Sequence, residues 1–273
     1  MKHFMSFENA KRIVVKVGTS TITYPNGRLN IRRIEQLVRV LSDLKNSGKE
    51  IILVTSGAIG VGSARLKLTE RPSETCMKQA AAAIGQVELM YLYDKLFMAY
   101  GHIVAQILMT RIITDRDNTR QNLINTFDTL IALGAIPIVN ENDSVATEEI
   151  ECDDIAFGGN DTLSAVVAIL VKADILVLMS DIVGLCDKNP RESDEAQLIP
   201  MVEEINDDIL SLGGGAGSDF GTGGMASKLE AAQIVTAAGI DMAIMDGSEP
   251  ARLYDLFAGK PVGTYFPAKR SAV

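Results

Sequence analysis

Ala135-Ile-Pro-Ile-Val-Asn-Glu-Asn-Asp143 is a short apolar run that stops at four consecutive polar side chains. The run ends in Ile138 and Val139, and Asn140, Glu141, Asn142 and Asp143 follow directly. A buried strand that ends this way carries two amides and two carboxylates to the edge of a sheet. In open α/β sheets, ligands bind outside the carboxyl ends of the strands. Four such groups suit an amino group or a polar small molecule, and they do not resemble a nucleic-acid surface.

On both sides of this strand, short β-rich runs alternate with longer helical ones. Residues 13–17 and 51–54 read as strands, and Tyr24-Pro-Asn-Gly27 reads as a turn. Asn30 is placed to cap a helix in which Ile34, Leu37, Val38, Leu41 and Leu44 recur at helical spacing, with Gly48 as its stop. Further helices are expected over 75–100 and 117–133, with an extended segment over 102–109 between them. Beyond Asp161 the pattern gives a helix over 162–172, a strand over 175–179, a helix over 225–238 and a strand over 240–245. This alternation predicts βαβ units and an α/β fold whose mostly parallel sheet is covered on both faces. No internal repeat is visible. Residues 212–224 hold seven glycines in thirteen positions. They read as a functional loop, because helix and strand resume directly after them.

The 273 residues suffice for one large α/β domain or two small ones, and 47% hydrophobic against 22% charged residues allows a substantial core. The net charge of -9 argues against a general nucleic-acid or anionic-membrane surface. An anionic substrate must therefore be drawn by local positive charge. Cys76, Cys152 and Cys186 are far apart and form no CxxC pair, so neither a disulfide framework nor a zinc site is expected. Reduced thiols in a cytoplasmic protein are the plain reading. No signal-peptide core or bilayer-length apolar run is present. With only His3 and His102, a histidine-based triad has little to work with.

Lys16-Val-Gly-Thr-Ser20 ends the first strand with a lysine and a glycine, and Thr55-Ser-Gly-Ala58 ends the second. Glycine there lets backbone N–H groups approach an anion closely, and lysine supplies charge. Gly221-Thr-Gly-Gly-Met-Ala-Ser-Lys228 adds a second lysine at a helix start, where phosphate is favoured. Neither GxxxxGK[ST] nor GxGxxG occurs, so the P-loop and the dinucleotide fingerprint are missing. Taken singly, Gly18 and Gly57 read equally well as strand-end turns. Lys16 is harder to set aside, because a lysine inside an apolar strand is seldom buried without a partner. In Gly158-Gly-Asn-Asp161, one of Asn160 and Asp161 is expected to cap the next helix. Asp181, after another strand, reads as a turn carboxylate.

As an ordered set, Lys16-Val-Gly-Thr-Ser, Val54-Thr-Ser-Gly-Ala-Ile, Val139-Asn-Glu-Asn-Asp, Gly159-Asn-Asp, Ser180-Asp-x-x-Gly-Leu, Gly221-Thr-Gly-Gly-Met and Lys228-Leu resemble the amino acid kinases, most closely their glutamate 5-kinase branch. The resemblance covers about residues 12–266. It implies a three-layer αβα sandwich and a single kinase domain over 1–273, without the C-terminal PUA domain of longer relatives. It also implies that ATP, with Mg²⁺, phosphorylates the γ-carboxylate of L-glutamate in the first step of proline biosynthesis. The metal ligands stay unassigned.

By the same resemblance, Lys16 and Lys228 flank the transferred phosphoryl group and Asp161 holds both lysines. Ser56, Asp143 and Asn160 bind glutamate, while Asn140 and Asn142 shape that pocket. Lys16, Gly18, Ser180, Asp181 and the run Thr222, Gly223, Gly224, Met225, Ala226, Ser227 and Lys228 line the nucleotide site. Proline is expected as a feedback inhibitor, and the chain is expected to form a homo-oligomer. The sequence departs from the family pattern at Gly159, Cys186 and Asn189.

The chemistry of the residues agrees with such a reaction. A carboxylate is already a nucleophile, so phosphoryl transfer needs alignment and charge neutralisation but no general base. Asp143 suits the substrate ammonium, and serine and asparagine can serve its carboxylates. Rival readings are a kinase of the same family acting on acetylglutamate, aspartate, carbamate or UMP, and a catalytically silent nucleotide sensor. A UMP kinase should offer more arginine, and retention of Lys16, Lys228 and Asp161 argues against a silent sensor.

Overall fold

The computed structural model describes residues 7–70, 72–110, 117–145, 159–190, 193, 195–214 and 224–269. Its organising element is β1 (Arg12–Val17), which pairs in parallel with β2 (Glu50–Val54) on one side and with β5 (Ile175–Ser180) on the other. Beyond β2 lie β4 (Ile136–Glu141) and then β3 (Val104–Met109). Beyond β5 lie β6 (Asp241–Asp246) and then β7 (Thr264–Phe266). The sheet order is therefore β3-β4-β2-β1-β5-β6-β7, parallel except for the β6–β7 pair. Central strands covered on both faces need apolar residues at nearly every position, which is how 13–17, 51–54 and 175–179 read in the sequence.

The helices among the described residues are α1 (Thr19–Ile22), α2 (Ile31–Asn46), α3 (Ala58–Arg65), α4 (Thr75–Met98), α5 (Asp117–Ala132), α6 (Asn160–Leu170), α7 (Asp207–Ser211), α8 (Met225–Ala237) and α9 (Arg252–Phe257). Side chains of a strand alternate between the two faces of its sheet. Ile13, Val15 and Val17 accordingly join one core with residues of α2, α3, α4 and α9, among them Leu37, Leu41, Val61, Leu89 and Leu256. Val14 joins the other core, with Phe127 of α5, Leu163 and Val167 of α6 and Leu229 of α8. The two cores make the three layers expected from the family pattern.

Two details differ from the sequence reading. Asn160 and Asp161 do not cap α6. The helix starts at Asn160, and its N-cap is Gly159, which makes no side-chain cap and has φ of +86°. That backbone conformation suits glycine. It moves Asn160 and Asp161 into the first turn, where their side chains are free for other partners. The antiparallel β7 and the short α1, α3, α7 and α9 were not read, because segments this brief carry too few residues for a period to show. The Asn30 cap is present, its side chain accepting from the Arg33 N–H. Cys76 and Cys186 are free thiols, and Cys152 lies outside the described residues. No helix among the described residues is long and apolar enough to cross a membrane.

Helices α3 and α4 cross backbone to backbone. A Cβ on Gly62 would run into the carbonyl of Ala81, and one on Gly85 would run into the carbonyl of Ala58. The crossing fixes α4 against the sheet edge. Gly85→Ala is therefore predicted to destabilise the protein by about 1–3 kcal/mol through overpacking. Gly60→Ala meets nothing within 4 Å and serves as the control. It should be neutral or stabilising by up to about 1 kcal/mol. Equilibrium denaturation of the two variants checks both signs.

Candidate active site

The carboxyl ends of β1, β2, β4 and β5 gather the polar residues singled out in the sequence. The chain runs to one side of β1 through β2, β4 and β3, and to the other through β5 and β6. The crevice at such a reversal is where ligands of open α/β sheets bind. By strand alternation Lys16 shares the face of Val14, towards α6 and α8. Those two helices begin at this edge and supply Asp161 and Lys228.

Lys16 Nζ lies 2.5 Å from Asp161 Oδ1, and Lys228 Nζ lies 3.0 Å from Asp161 Oδ2. Ser227 Oγ donates to the same Oδ2 at 2.8 Å. Asp161 is 1% exposed, Lys228 4% and Lys16 7%. Charges so deeply buried persist only when paired and hydrogen-bonded. Burial pushes the Asp161 carboxyl up, but the two ammonium groups overcome this and hold its pKa below the ordinary aspartate value. Burial pulls the Lys16 ammonium below its ordinary value; Asp161 opposes that shift, Lys228 adds to it, and Asp181 pulls back. Two ammoniums and one carboxylate leave one excess positive charge within the triad itself, with the Asp181 carboxylate close enough to act on Lys16.

Beside the triad stands a chain of amides. Asn160 Nδ2 donates to the carbonyl of Thr55 at 3.1 Å and to Asn140 Oδ1 at 3.4 Å. Asn140, 2% exposed, donates through Nδ2 to Gln86 Oε1 at 2.8 Å. Asn160 Oδ1 is buried and has no hydrogen-bond partner among the described residues. The expectation that asparagine serves a carboxylate is thus corrected for Asn160. Its donors are occupied, and what remains is an acceptor, which suits an ammonium. Ser56 Oγ lies 2.9 Å from Thr19 Oγ1, and Thr55 Oγ1 lies 3.0 Å from the hydroxyl of Tyr93 on α4.

A cleft of about 240 Å³ opens here, lined by Ala58, Ala82, Gln86, Glu141, Asn142 and Asp143 among others. Asn142 is tied into its own turn: its N–H donates to the Met109 carbonyl at 2.8 Å and its Oδ1 accepts from Ser144 at 2.6 Å. Glu141, which the sequence leaves without a role, belongs to the cleft lining as well.

On the other side of Lys16, the Gly18 N–H donates to the Met179 carbonyl at 3.4 Å. A Cβ on Gly18 would stand 3.7 Å from Lys16 Nζ, so the missing side chain leaves that ammonium approachable. Ser180 Oγ donates to Asp181 Oδ1 at 3.1 Å. Gly224 is the N-cap of α8, its carbonyl 2.9 Å from Ser227 Oγ, and Met225 and Ala226 form the first turn. Thr222 and Gly223 lie outside the described residues. The start of α8 therefore offers backbone N–H groups beside a buried lysine, a combination suited to phosphate. Among the described residues no three His, Cys, Asp or Glu side chains are grouped to hold a metal ion.

Two residues of this site were not singled out in the sequence. Thr19 is a small hydroxyl in a turn and leaves no signal. Gln86 does leave one: it sits one turn after Ala82 and three residues before Leu89 on the buried face of α4. A long polar side chain in an apolar stripe implies a partner.

A model of the amino acid kinase family matches residues 11–246. The chain is 49% identical over 265 residues to the glutamate 5-kinase of Clostridium perfringens (strain 13 / Type A), covering 97% of this chain and 98% of that protein. It is 49% identical over 259 residues to the glutamate 5-kinase of Enterococcus faecalis (strain ATCC 700802 / V583), covering 95% of each. Among solved structures, the UMP kinase of Bacillus anthracis aligns with a TM-score of 0.62 at 14% identity, covering 96% of this chain and 98% of that one. The isopentenyl phosphate kinase of T. acidophilum aligns with a TM-score of 0.62 at 16% identity, covering 94% and 100%. At these identities the structural matches speak for the fold alone.

Asp161→Asn would leave two buried ammonium groups without their shared counter-charge. A loss of about 3–5 kcal/mol of stability is predicted, the usual scale for breaking a buried pair. The folded pKa of Asp161 lies below the unfolded value of about 3.9. Its stabilising contribution is therefore complete above that pH and is lost as pH falls through the folded value. Denaturation at neutral and acid pH checks this: the Asn variant should lie well below the parent at pH 7, with the gap narrowing in acid.

Proposed function

The chain belongs to the amino acid kinase family, and from that premise we propose that it phosphorylates the γ-carboxylate of L-glutamate with ATP. The products are L-glutamyl 5-phosphate and ADP, and the step opens proline biosynthesis. The observation that carries this reading is one sheet edge holding both the Lys16–Asp161–Lys228 triad and the amide-lined cleft. The first suits a transferring phosphoryl group and the second suits an amino acid.

In this reading a γ-carboxylate oxygen attacks the γ-phosphorus. An O–P bond forms, the bond from that phosphorus to the bridging oxygen breaks, and the electron pair leaves with ADP. The carboxylate is already deprotonated, so no base is required. Lys16 and Lys228 face the oxygens on which charge spreads, and Asp161 keeps both ammoniums fixed between turnovers. Preorganised donors at developing charge are worth about 10²–10³ in kcat each. Magnesium, if it accompanies ATP, would add positive charge to the phosphates; the described residues offer no group of three carboxylate, histidine or cysteine side chains to hold it by themselves. Gly18, Ser180, Asp181 and the start of α8 receive the nucleotide. Asp143 and the Asn160 Oδ1 acceptor receive the α-ammonium of glutamate, Ser56 approaches a carboxylate, and Asn140 and Asn142 hold the walls.

We also read the protein as a cytoplasmic homo-oligomer. Exposed Val87, Tyr91 and Met98 along α4 support association of copies.

An assay of ADP release across L-glutamate, N-acetyl-L-glutamate, L-aspartate, carbamate and UMP tests the reading. Turnover with L-glutamate and none with UMP is expected; turnover with UMP and none with L-glutamate would overturn it. In the same assay proline, which carries an α-carboxylate and an α-nitrogen but no γ-carboxylate, should inhibit competitively with L-glutamate. Inhibition independent of glutamate concentration would contradict a shared pocket.

A further inference from the structure

We propose that Gln86 recognises the α-carboxylate of the amino-acid substrate through its side-chain Nε2. The inference rests on the glutamate-kinase reading above and adds to it a residue that sets substrate choice. A carbonyl can only accept, so the Asn160 atom 3.1 Å from the Thr55 carbonyl is the amide nitrogen. That nitrogen also faces Asn140, which must present its oxygen. Asn140 then presents its nitrogen to Gln86, which must present its own oxygen in turn. One backbone carbonyl thus fixes the sense of three side-chain amides.

The two ends of this chain are left complementary. Asn160 ends in an unpaired acceptor, Oδ1, and Gln86 ends in an unpaired donor, Nε2. Both atoms are buried and without a hydrogen-bond partner among the described residues. Gln86 is 8% exposed and lines the same cleft as Asp143. Unpaired buried donors are uncommon in folded proteins because they forfeit their bonds to water. One beside a cleft is accounted for by a ligand that brings an acceptor.

The head group of an α-amino acid carries an ammonium and a carboxylate on one carbon. In the cleft lining, Asp143 offers an acceptor for the first, and Gln86 Nε2 offers a donor for the second. The γ-carboxylate is committed to the lysines, so the carboxylate left for Gln86 is the α one. The Gly62–Gly85 crossing holds the residue next to Gln86 against α3, which restricts where the amide can reach.

The test is Gln86→Glu, which keeps the acceptor for Asn140 and replaces the donor by an anion. Apparent affinities are measured for L-glutamate, for its α-amide and for ATP. The variant should raise KM for L-glutamate at least about tenfold, since a site built for a hydrogen bond discriminates strongly once the bond is lost. KM for ATP should stay within about twofold. The preference for L-glutamate over the α-amide should shrink at least about tenfold, because the amide can donate where the carboxylate is repelled.

An unchanged KM for L-glutamate overturns the proposal. So does an unchanged preference, even with a raised KM, because Gln86 would then only brace Asn140. If Gln86→Glu does not fold, Gln86→Met keeps the length but removes both the donor and the acceptor used by Asn140, so a shrunken preference for L-glutamate over the α-amide, and not a raised KM alone, is required of it. Failure of the parent protein to phosphorylate L-glutamate would count against the kinase reading itself, which separates the two failures.

Discussion

One carboxylate held between two buried lysines is the interaction on which the site depends. Asp161 accepts from Lys16, Ser227 and Lys228 while almost fully removed from water. Charges buried this deeply persist only when paired and hydrogen-bonded. Because the partners come from β1, α6 and α8, the pairing also ties three elements together at their ends. Its two ammonium groups concentrate positive charge locally in an acidic protein.

The sheet topology makes this possible. β1 is central, and its two neighbours belong to different halves of the chain. The halves open a crevice where their crossovers part. The lysine on β1 sits at the mouth of that crevice, with the polar end of β4 to one side and that of β5 to the other. Phosphoryl transfer to a carboxylate asks for alignment and charge more than for acid–base groups. A site of lysines, amides, backbone N–H groups and very little histidine meets that demand.

Much of this is legible in the amino-acid sequence. The central strands announce themselves because burial on both faces removes polar residues, so Lys16 stands out within β1. The polar end of β4 is legible for the same reason. What the sequence obscures is direction and partnership. Asn160 and Asp161 looked like helix caps because those residue types favour caps; Gly159 takes that position and frees both side chains for the site. The roles of amide atoms are not legible either, since which end of Asn160 is left unpaired depends on the Thr55 carbonyl, 105 residues away. Gln86 leaves a trace, a long polar side chain in the apolar stripe of α4, but no sign of its partner. Its meaning appears only when Asn140 is seen to occupy its oxygen.

The central claim is that the buried lysines, and not some other group, bear the charge of the transferring phosphoryl. Measurement of kcat for ATP-dependent L-glutamate phosphorylation by Lys228→Ala tests it most directly, with circular dichroism confirming the fold. Asp161 keeps Lys16 as a partner in that variant, so the fold should persist. The account predicts a fall in kcat of at least about 10²–10³, the scale for loss of one preorganised donor. A folded variant with kcat within a few-fold of the parent would contradict it.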